Sequence, residues 1–333
     1  MIPTITLNRF IRQEEKAHPY ATGELTDLLY SIGLAVKMIS HLVATAGYKG
    51  LHGYTDKVNI QGEIVHKLDQ EADEILMEIL SSCGHFGSLV SEERDQVVTT
   101  PFESKVAKYA VAFDPLDGSS NIGSNIPVGT IFTVFKRKTP EEPPGIDDML
   151  QPGRNVVAAG YAVYGSMTSF VYTCGSGVHG FTLDPEIGEF VLTEEEIKIP
   201  ESGSIYSVNE GYWELWDDKT RDAVRRLKES DNPLGKPYTS RYVGSLVSDF
   251  DRTLRRGGIF LHPANKKRER GKLRLLYECI PLSYIAHVAG GIGTDGSVNV
   301  IDIEPKSIHE RCPLIIGSKK EVEWFLEILN NNQ

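Results

Sequence analysis

The chain has 333 residues, of which 40% are hydrophobic and 24% charged, and it carries a formal net charge of -11. This length suits two domains in tight contact or one large layered unit, and the composition excludes a disordered chain or a fibre. The acidic balance excludes a basic nucleic-acid footprint, and it requires cations such as Mg²⁺ between the acids of any phosphate site and their substrate.

In chain order, the first strong signal is a helix over residues 25–46, where Leu25, Leu28, Leu29, Ile32, Val36, Ile39, Leu42, Val43 and Ala46 recur at helical spacing. Thr22 and Gly23 stand where an N-cap belongs, and Gly47 is placed to end the helix. Residues 48–62 hold Gly50, Gly53 and Gly62 with no clear period and read as a mobile loop. A second helix is predicted over 63–83. Asp69 falls at the edge of its apolar stripe, beside Leu76, and is its acid best placed to face protein, while Asp73 and Glu74 turn further out. Strands follow over 109–113, 130–135, 156–163 and 169–173. Residues 155–183 contain no Asp, Glu, Lys or Arg, enough to span a bilayer, but Gly160, Gly165, Gly175, Gly177 and Gly180 break the run. They read as buried strands, with no membrane. An acidic stretch over 194–196, closed by Pro200, marks a domain boundary. Beyond it, 217–229 and 244–256 read as helices and 258–262 and 273–277 as strands. A helix over 281–289 ends at Gly290 and Gly291, and 319–329 forms a last one.

The strongest chemical signal is the string Asp114-Pro115-Leu116-Asp117-Gly118-Ser119-Ser120-Asn121 after an apolar strand. It puts Asp114 at the strand's C-terminal end, where ligand sites of α/β proteins collect. Two acids three apart, with the Leu116 carbonyl between them, can converge on a hard cation. Gly118, Ser119 and Ser120 then offer N–H groups and hydroxyls to a phosphate. Glu92 and Glu93 follow another short apolar segment, and adjacent acids on an extended chain face opposite sides. Alone they read as a solvated loop, and Glu278 alone reads as a cap. Beside the other acids at segment ends, Glu278 becomes a plausible ligand. A G-x-G-x-x-G match at Gly175–Gly180 precedes a strand and turn, where the dinucleotide fingerprint needs a helix. Scattered Cys83, Cys174, Cys279 and Cys312 point to a reducing compartment without a disulfide framework. Residues 1–10 hold no apolar run of signal-peptide length.

Together these motifs resemble the class 1 fructose-1,6-bisphosphatases, over nearly the whole chain. Segments 21–26, 151–155, 209–212, 241–245 and 271–278 carry the likeness further, whereas the D-P-x-D-G-S-S string alone is shared with the wider inositol-phosphatase superfamily. The resemblance implies a layered α/β/α/β/α sugar-phosphatase fold of the α/β class. It divides the chain into an allosteric domain over 1–198, contributing most metal ligands, and a fructose-bisphosphate-binding domain over 199–333. It implies a cytoplasmic homotetramer of gluconeogenesis that hydrolyses the 1-phosphate of fructose 1,6-bisphosphate with water activated by two to three Mg²⁺ per subunit, with Mn²⁺ or Zn²⁺ as substitutes. Glu92, Glu93, Asp114, Leu116 by its carbonyl, Asp117 and Glu278 match the family's metal ligands. Asp69, Glu93 and Glu63 match the acids that handle the water proton. Asp117, Gly118, Ser119 and Ser120 match the 1-phosphate region. Asn209, Tyr212, Tyr242, Lys272 and Arg274 match contacts to the sugar and the 6-phosphate, and Arg241 matches the arginine that reaches that phosphate from a neighbouring subunit.

For regulation, the resemblance implies AMP inhibition through Thr22, Gly23, Glu24, Leu25, Thr26, Lys108, Tyr109 and Lys136. The same residues equally fit a plain N-cap and a strand start. Three departures from the family stand out. His262 replaces a tyrosine on the substrate phosphate, which predicts a pH-dependent contact. Lys136 replaces an arginine on AMP and lacks its bidentate fork. Glu63 stands where some members have Asp. The rival readings are a sedoheptulose-bisphosphate or dual-specificity phosphatase, and a catalytically dead AMP-sensing scaffold.

Overall fold

The computed structural model describes residues 5–17, 23–51, 53–58, 64–100 and 107–330. Thr22 and Glu63, two of the predicted site residues, lie outside the described residues.

An eight-stranded sheet forms the first half. Its spatial order is Glu189–Glu194, His179–Asp184, Thr168–Thr173, Val156–Tyr164, Val128–Lys136, Tyr109–Asp117, Phe86–Ser91 and Val98–Thr99. All neighbours pair antiparallel except Phe86–Ser91 and Tyr109–Asp117, which run parallel. These strands are rich in Val, Phe, Tyr and Thr, which suit a pleated surface. Because side chains alternate sides, Val111 and Phe113 pack with Phe132, Val134 and Phe170 under the helices Leu7–Ala17, Glu24–Lys49 and Lys67–Cys83. Ala110 and Ala112 face the other way, with Ile131, Tyr161 and Val171, against the helices Leu246–Arg256 and Ile280–Val288. Each fully buried Phe or Val here contributes roughly 1.5–3 kcal/mol.

Those two middle helices also cover the inner face of a second sheet, ordered Thr239–Ser240, Ile205–Ser207, Ile259–His262, Leu314–Gly317 and Ile292–Thr294. The helices Asp218–Leu227 and Lys319–Asn330 close its outer face through Ala223, Val224, Leu227, Val322 and Phe325. The layering is therefore α/β/α/β/α, as expected.

Several local expectations are corrected. The long helix runs past Gly47 and ends at Gly50, which takes the left-handed conformation (φ 69°) and donates its N–H to the Ala46 carbonyl. By length and composition this helix could cross a membrane, but half of its most apolar stretch is buried inside the protein. The second helix begins at Lys67 rather than at residue 63, because Ile64–His66 pairs as a strand with Tyr54–Val58, inside the segment read as a loop. Asp73 does not turn outward. It is buried at 4% exposure, while Glu74 is exposed. The strand expected over 273–277 is only Leu273–Arg274, after which the chain tightens into a π-helical turn, Leu275–Cys279.

Candidate active site

The parallel pair sets the site. Ser91 lies opposite Phe113, so Glu92 and Asp114 leave the same carboxyl edge side by side. The Glu92 N–H donates to the Phe113 carbonyl at 3.1 Å. The Asp114 carboxylate accepts the Leu116 N–H at 2.9 Å, which bends the strand end. Gly118 then turns left-handed (φ 79°), and a Cβ there would stand 2.9 Å from the Ser245 side chain, so only glycine fits. A 3₁₀ turn, Ser119–Ser124, follows it.

Glu278 arrives from the other half on its π-helical turn, a distortion common at functional sites. Its carboxylate accepts the Arg274 N–H. One carboxylate oxygen each from Asp114, Asp117 and Glu278 lies within 4.8 Å of the others, and all three residues are buried. Burial pushes all three carboxyls up, Asp117 to about 6 and Glu278 to about 8, and the neighbouring Glu92 charge adds to each shift. Glu92 and Asp114 are within hydrogen-bonding reach of one another, which raises Asp114 further. Such crowding of hard oxygen donors is what a divalent cation relieves, so the donor set fits Mg²⁺ or Mn²⁺.

The acids open into a cleft of about 480 Å³. Asp69, Glu92, Glu93, Asp114, Leu116, Asp117, Gly118, Ser119, Ser120 and Glu278 line one end, and Tyr242, His262, Lys272 and Arg274 line the rest. Asp69 sits in the first turn of its helix, 5% exposed, and hydrogen-bonds with Ser119. Burial first, then the Glu93 charge, raises its carboxyl well above the usual range. Arg274 is buried among the acids, with Nη2 3.3 Å from Glu92 and Nη1 donating to the Lys272 carbonyl at 2.8 Å. His262 does not behave as its replacement of tyrosine predicts. Burial, Lys272 and Arg268 push its imidazole down to about 4, so it stays neutral through the physiological range.

Three predicted residues do not line this cleft. The Asn209 side-chain Oδ1 accepts the Gly211 N–H at 3.0 Å, and the same side chain hydrogen-bonds with Tyr242. Tyr212 lies close enough to Tyr242 to raise its phenol. Arg241 is exposed and donates to the Ser240 carbonyl at 3.1 Å.

Sequence reading missed His66 and Arg268, which line the cleft, and the anchor beneath Asp117. Asp117 accepts the Val247 N–H at 2.8 Å and the Ser245 hydroxyl at 3.1 Å, so the start of the helix Leu246–Arg256 holds it. Asp249, fully buried on that helix, accepts the Val243 and Gly244 N–H groups and the Ser207 hydroxyl. Its position in the helix's first turn is the only local signal that could have found it.

The expected AMP residues gather at one corner. Lys108 Nζ is 2.7 Å from Glu24 Oε2, Tyr109 is raised by burial and by Glu24, and Lys136 is the partner of Tyr109 across the strand pair. Gly23 caps the long helix with φ 81°, Leu25 is half-buried, and the Thr26 hydroxyl donates to Glu15 at 2.8 Å.

Comparison with known proteins places this architecture. Residues 5–195 match the family model described as the fructose-1-6-bisphosphatase N-terminal domain, and residues 199–330 match its C-terminal domain. A class 1 fructose-1,6-bisphosphatase of Chloroherpeton thalassium is 46% identical over 320 residues, covering 96% of this chain and 91% of that protein. One from Nitratidesulfovibrio vulgaris is 46% identical over 331 residues, covering 98% of each. The crystal structure of Leishmania major fructose-1,6-bisphosphatase in holo form superposes with a TM-score of 0.92 at 37% identity, over 98% of this chain and 99% of that one. With both halves matched and relatives similar along almost its full length, the chain belongs to the class 1 fructose-1,6-bisphosphatase family.

Proposed function

We propose that this protein hydrolyses the 1-phosphate of fructose 1,6-bisphosphate, giving fructose 6-phosphate and inorganic phosphate. The observation that carries the reading is the meeting of Asp114, Asp117 and Glu278 within 4.8 Å at one end of a cleft whose other end holds Lys272 and Arg268. A bisphosphate needs both ends. Phosphoryl transfer needs neutralised charge and in-line positioning more than covalent chemistry. Two to three Mg²⁺ ions, held by Glu92, Glu93, Asp114, Asp117, Glu278 and the Leu116 carbonyl, supply the charge neutralisation when bound.

The chain's own groups do the rest. Ser119 and Ser120, with the N–H groups after Gly118, hold the 1-phosphate oxygens. Glu93 takes the proton of the attacking water and passes it to Asp69, whose buried carboxyl among negative neighbours is well suited to keep it. Glu63 assists from the segment before the helix. Tyr242, Lys272, Arg274 and the neutral His262 hold the sugar and its distal phosphate, with Asn209 and Tyr212 steadying Tyr242. Arg241, exposed in the single chain, reaches the site of a neighbouring subunit in a homotetramer.

The division into an allosteric domain over 1–198 and a sugar-binding domain over 199–333 belongs to this proposal. So do AMP inhibition through Thr22, Gly23, Glu24, Leu25, Thr26, Lys108, Tyr109 and Lys136, and a cytoplasmic role in gluconeogenesis. The Lys108–Glu24 ion pair supports an AMP corner, because a phosphate arriving there would draw Lys108 away from Glu24. The test is phosphate release from fructose 1,6-bisphosphate with Mg²⁺, with and without AMP. Release that AMP suppresses is expected, and no release with any divalent cation would overturn the proposal.

A further inference from the structure

The turn that carries Glu92 and Glu93 is clamped from below. Ser91 and Arg94 bracket the two acids, and the turn is closed by Arg94 N–H donating to the Ser91 carbonyl at 3.3 Å. Asp73, on the buried side of the helix Lys67–Cys83, takes both ends. Its Oδ1 accepts the Ser91 hydroxyl at 2.6 Å, and its Oδ2 accepts Arg94 Nε at 2.7 Å. Ser91 Oγ in turn accepts the Glu93 N–H at 3.2 Å. Both carboxylate oxygens of one buried acid are thus spent on one four-residue turn. Charge-assisted bonds of this kind are short and directional.

A second tie comes from the other half of the chain. His309 Nε2 lies 3.0 Å from the Arg94 carbonyl, which can only accept, so Nε2 carries the proton. His309 Nδ1 then accepts the Tyr277 hydroxyl at 2.9 Å, since burial keeps the imidazole neutral. Tyr277 is fully buried and directly precedes Glu278. The chain of bonds therefore runs from Asp73 through the Glu92–Glu93 turn and His309 to the segment that delivers Glu278. Neither Asp73 nor His309 lines the cleft.

We propose that Asp73 and His309 are positioning residues that hold the Glu92–Glu93 turn in register with Asp114 and Glu278, and that divalent-cation affinity depends on them. The proposal rests on the reading of Glu92 and Glu93 as metal ligands. Groups that orient ligands without touching the metal commonly matter in this way.

The experiment titrates the full-length protein with Mn²⁺ in the absence of substrate, reading free Mn²⁺ by electron paramagnetic resonance, with melting curves in chelator alongside. Asp73→Ala and His309→Phe are expected to weaken Mn²⁺ binding by about 10- to 100-fold. Arg94→Ala, whose side chain is 38% exposed, is expected to weaken it in the same direction and keeps the test open if Asp73→Ala does not fold. Asp114→Asn is the control. If Asp114→Asn loses Mn²⁺ while the foldable variants among the other three bind it as the unaltered protein does, the positioning role is overturned. If Asp114→Asn also binds normally, the metal-site reading itself falls, and the clamp falls with it.

Discussion

The two ends of the cleft are built differently. At the acid end, Asp114, Asp117 and Glu278 are 3%, 7% and 5% exposed, and each accepts a backbone N–H, from Leu116, Val247 and Arg274 in turn. At the cationic end, Tyr242 is 42% exposed, and Arg268 stands in solvent. Burial at the acid end crowds like charges and stores repulsion that a cation can use. Exposure at the cationic end leaves side chains free to close on a ligand. Chemistry that must not vary sits where the fold over-determines geometry, and recognition sits where it does not.

This contrast can be broken by measurement. Asp69→Asn removes the buried proton acceptor and should lower kcat by about 10²- to 10⁴-fold, with KM and the melting temperature little changed. A KM effect of similar size would place Asp69 in binding rather than in proton transfer. At the other end, Lys272→Ala should raise KM by about 10- to 100-fold, the equivalent of ~1.5–3 kcal/mol for a charged hydrogen bond, and leave kcat nearly intact. Because burial pushes the His262 imidazole down to about 4, the KM of the unaltered protein should stay flat from about pH 6 to 8. A KM that climbs with pH across that range would mean that His262 carries charge.

The smallest effect is on stability. Asp117 and Glu278 bind their protons more tightly folded, at about 6 and about 8, than in the unfolded chain, at 3.8 and 4.5. Between those values the native state holds the extra protons, so stability is full below the unfolded pKa values and is lost as pH rises through the folded ones. In chelator, the melting temperature should fall by several degrees between pH 5 and 8, and Mg²⁺ should restore it at pH 8 far more than at pH 5. A metal-free protein that gains stability over that range would show that the cluster is not strained by its own charge.

Much of this was legible along the chain. The strand ending at Asp114, the acids after it, and the pair Glu92–Glu93 were visible because sheet periodicity and loop chemistry are local. The long helix was visible for the same reason, although Gly47 was mistaken for its end. A glycine inside an otherwise well-packed helix costs only about 1 kcal/mol, and burial of the apolar stripe overrides that. Asp73 was misread because a helical wheel shows only a helix's own stripe. Ser91 and Arg94, the partners that make its burial possible, lie about twenty residues further on.

The sequence by itself determined most helices and strands and the string from Asp114 to Asn121, since alternating and helical hydrophobic patterns, and a continuous acid-glycine-serine run, are written in neighbouring residues, and the layered fold followed from its resemblance to a known family. Only the tertiary structure decided that Val247 and Ser245 anchor Asp117, that Arg274 lies against Glu92, and that Asp73 and His309 tie the ligand turn. Those partners are separated by between 18 and 215 residues, and nothing local encodes a hydrogen bond between groups that meet only when distant segments pack together.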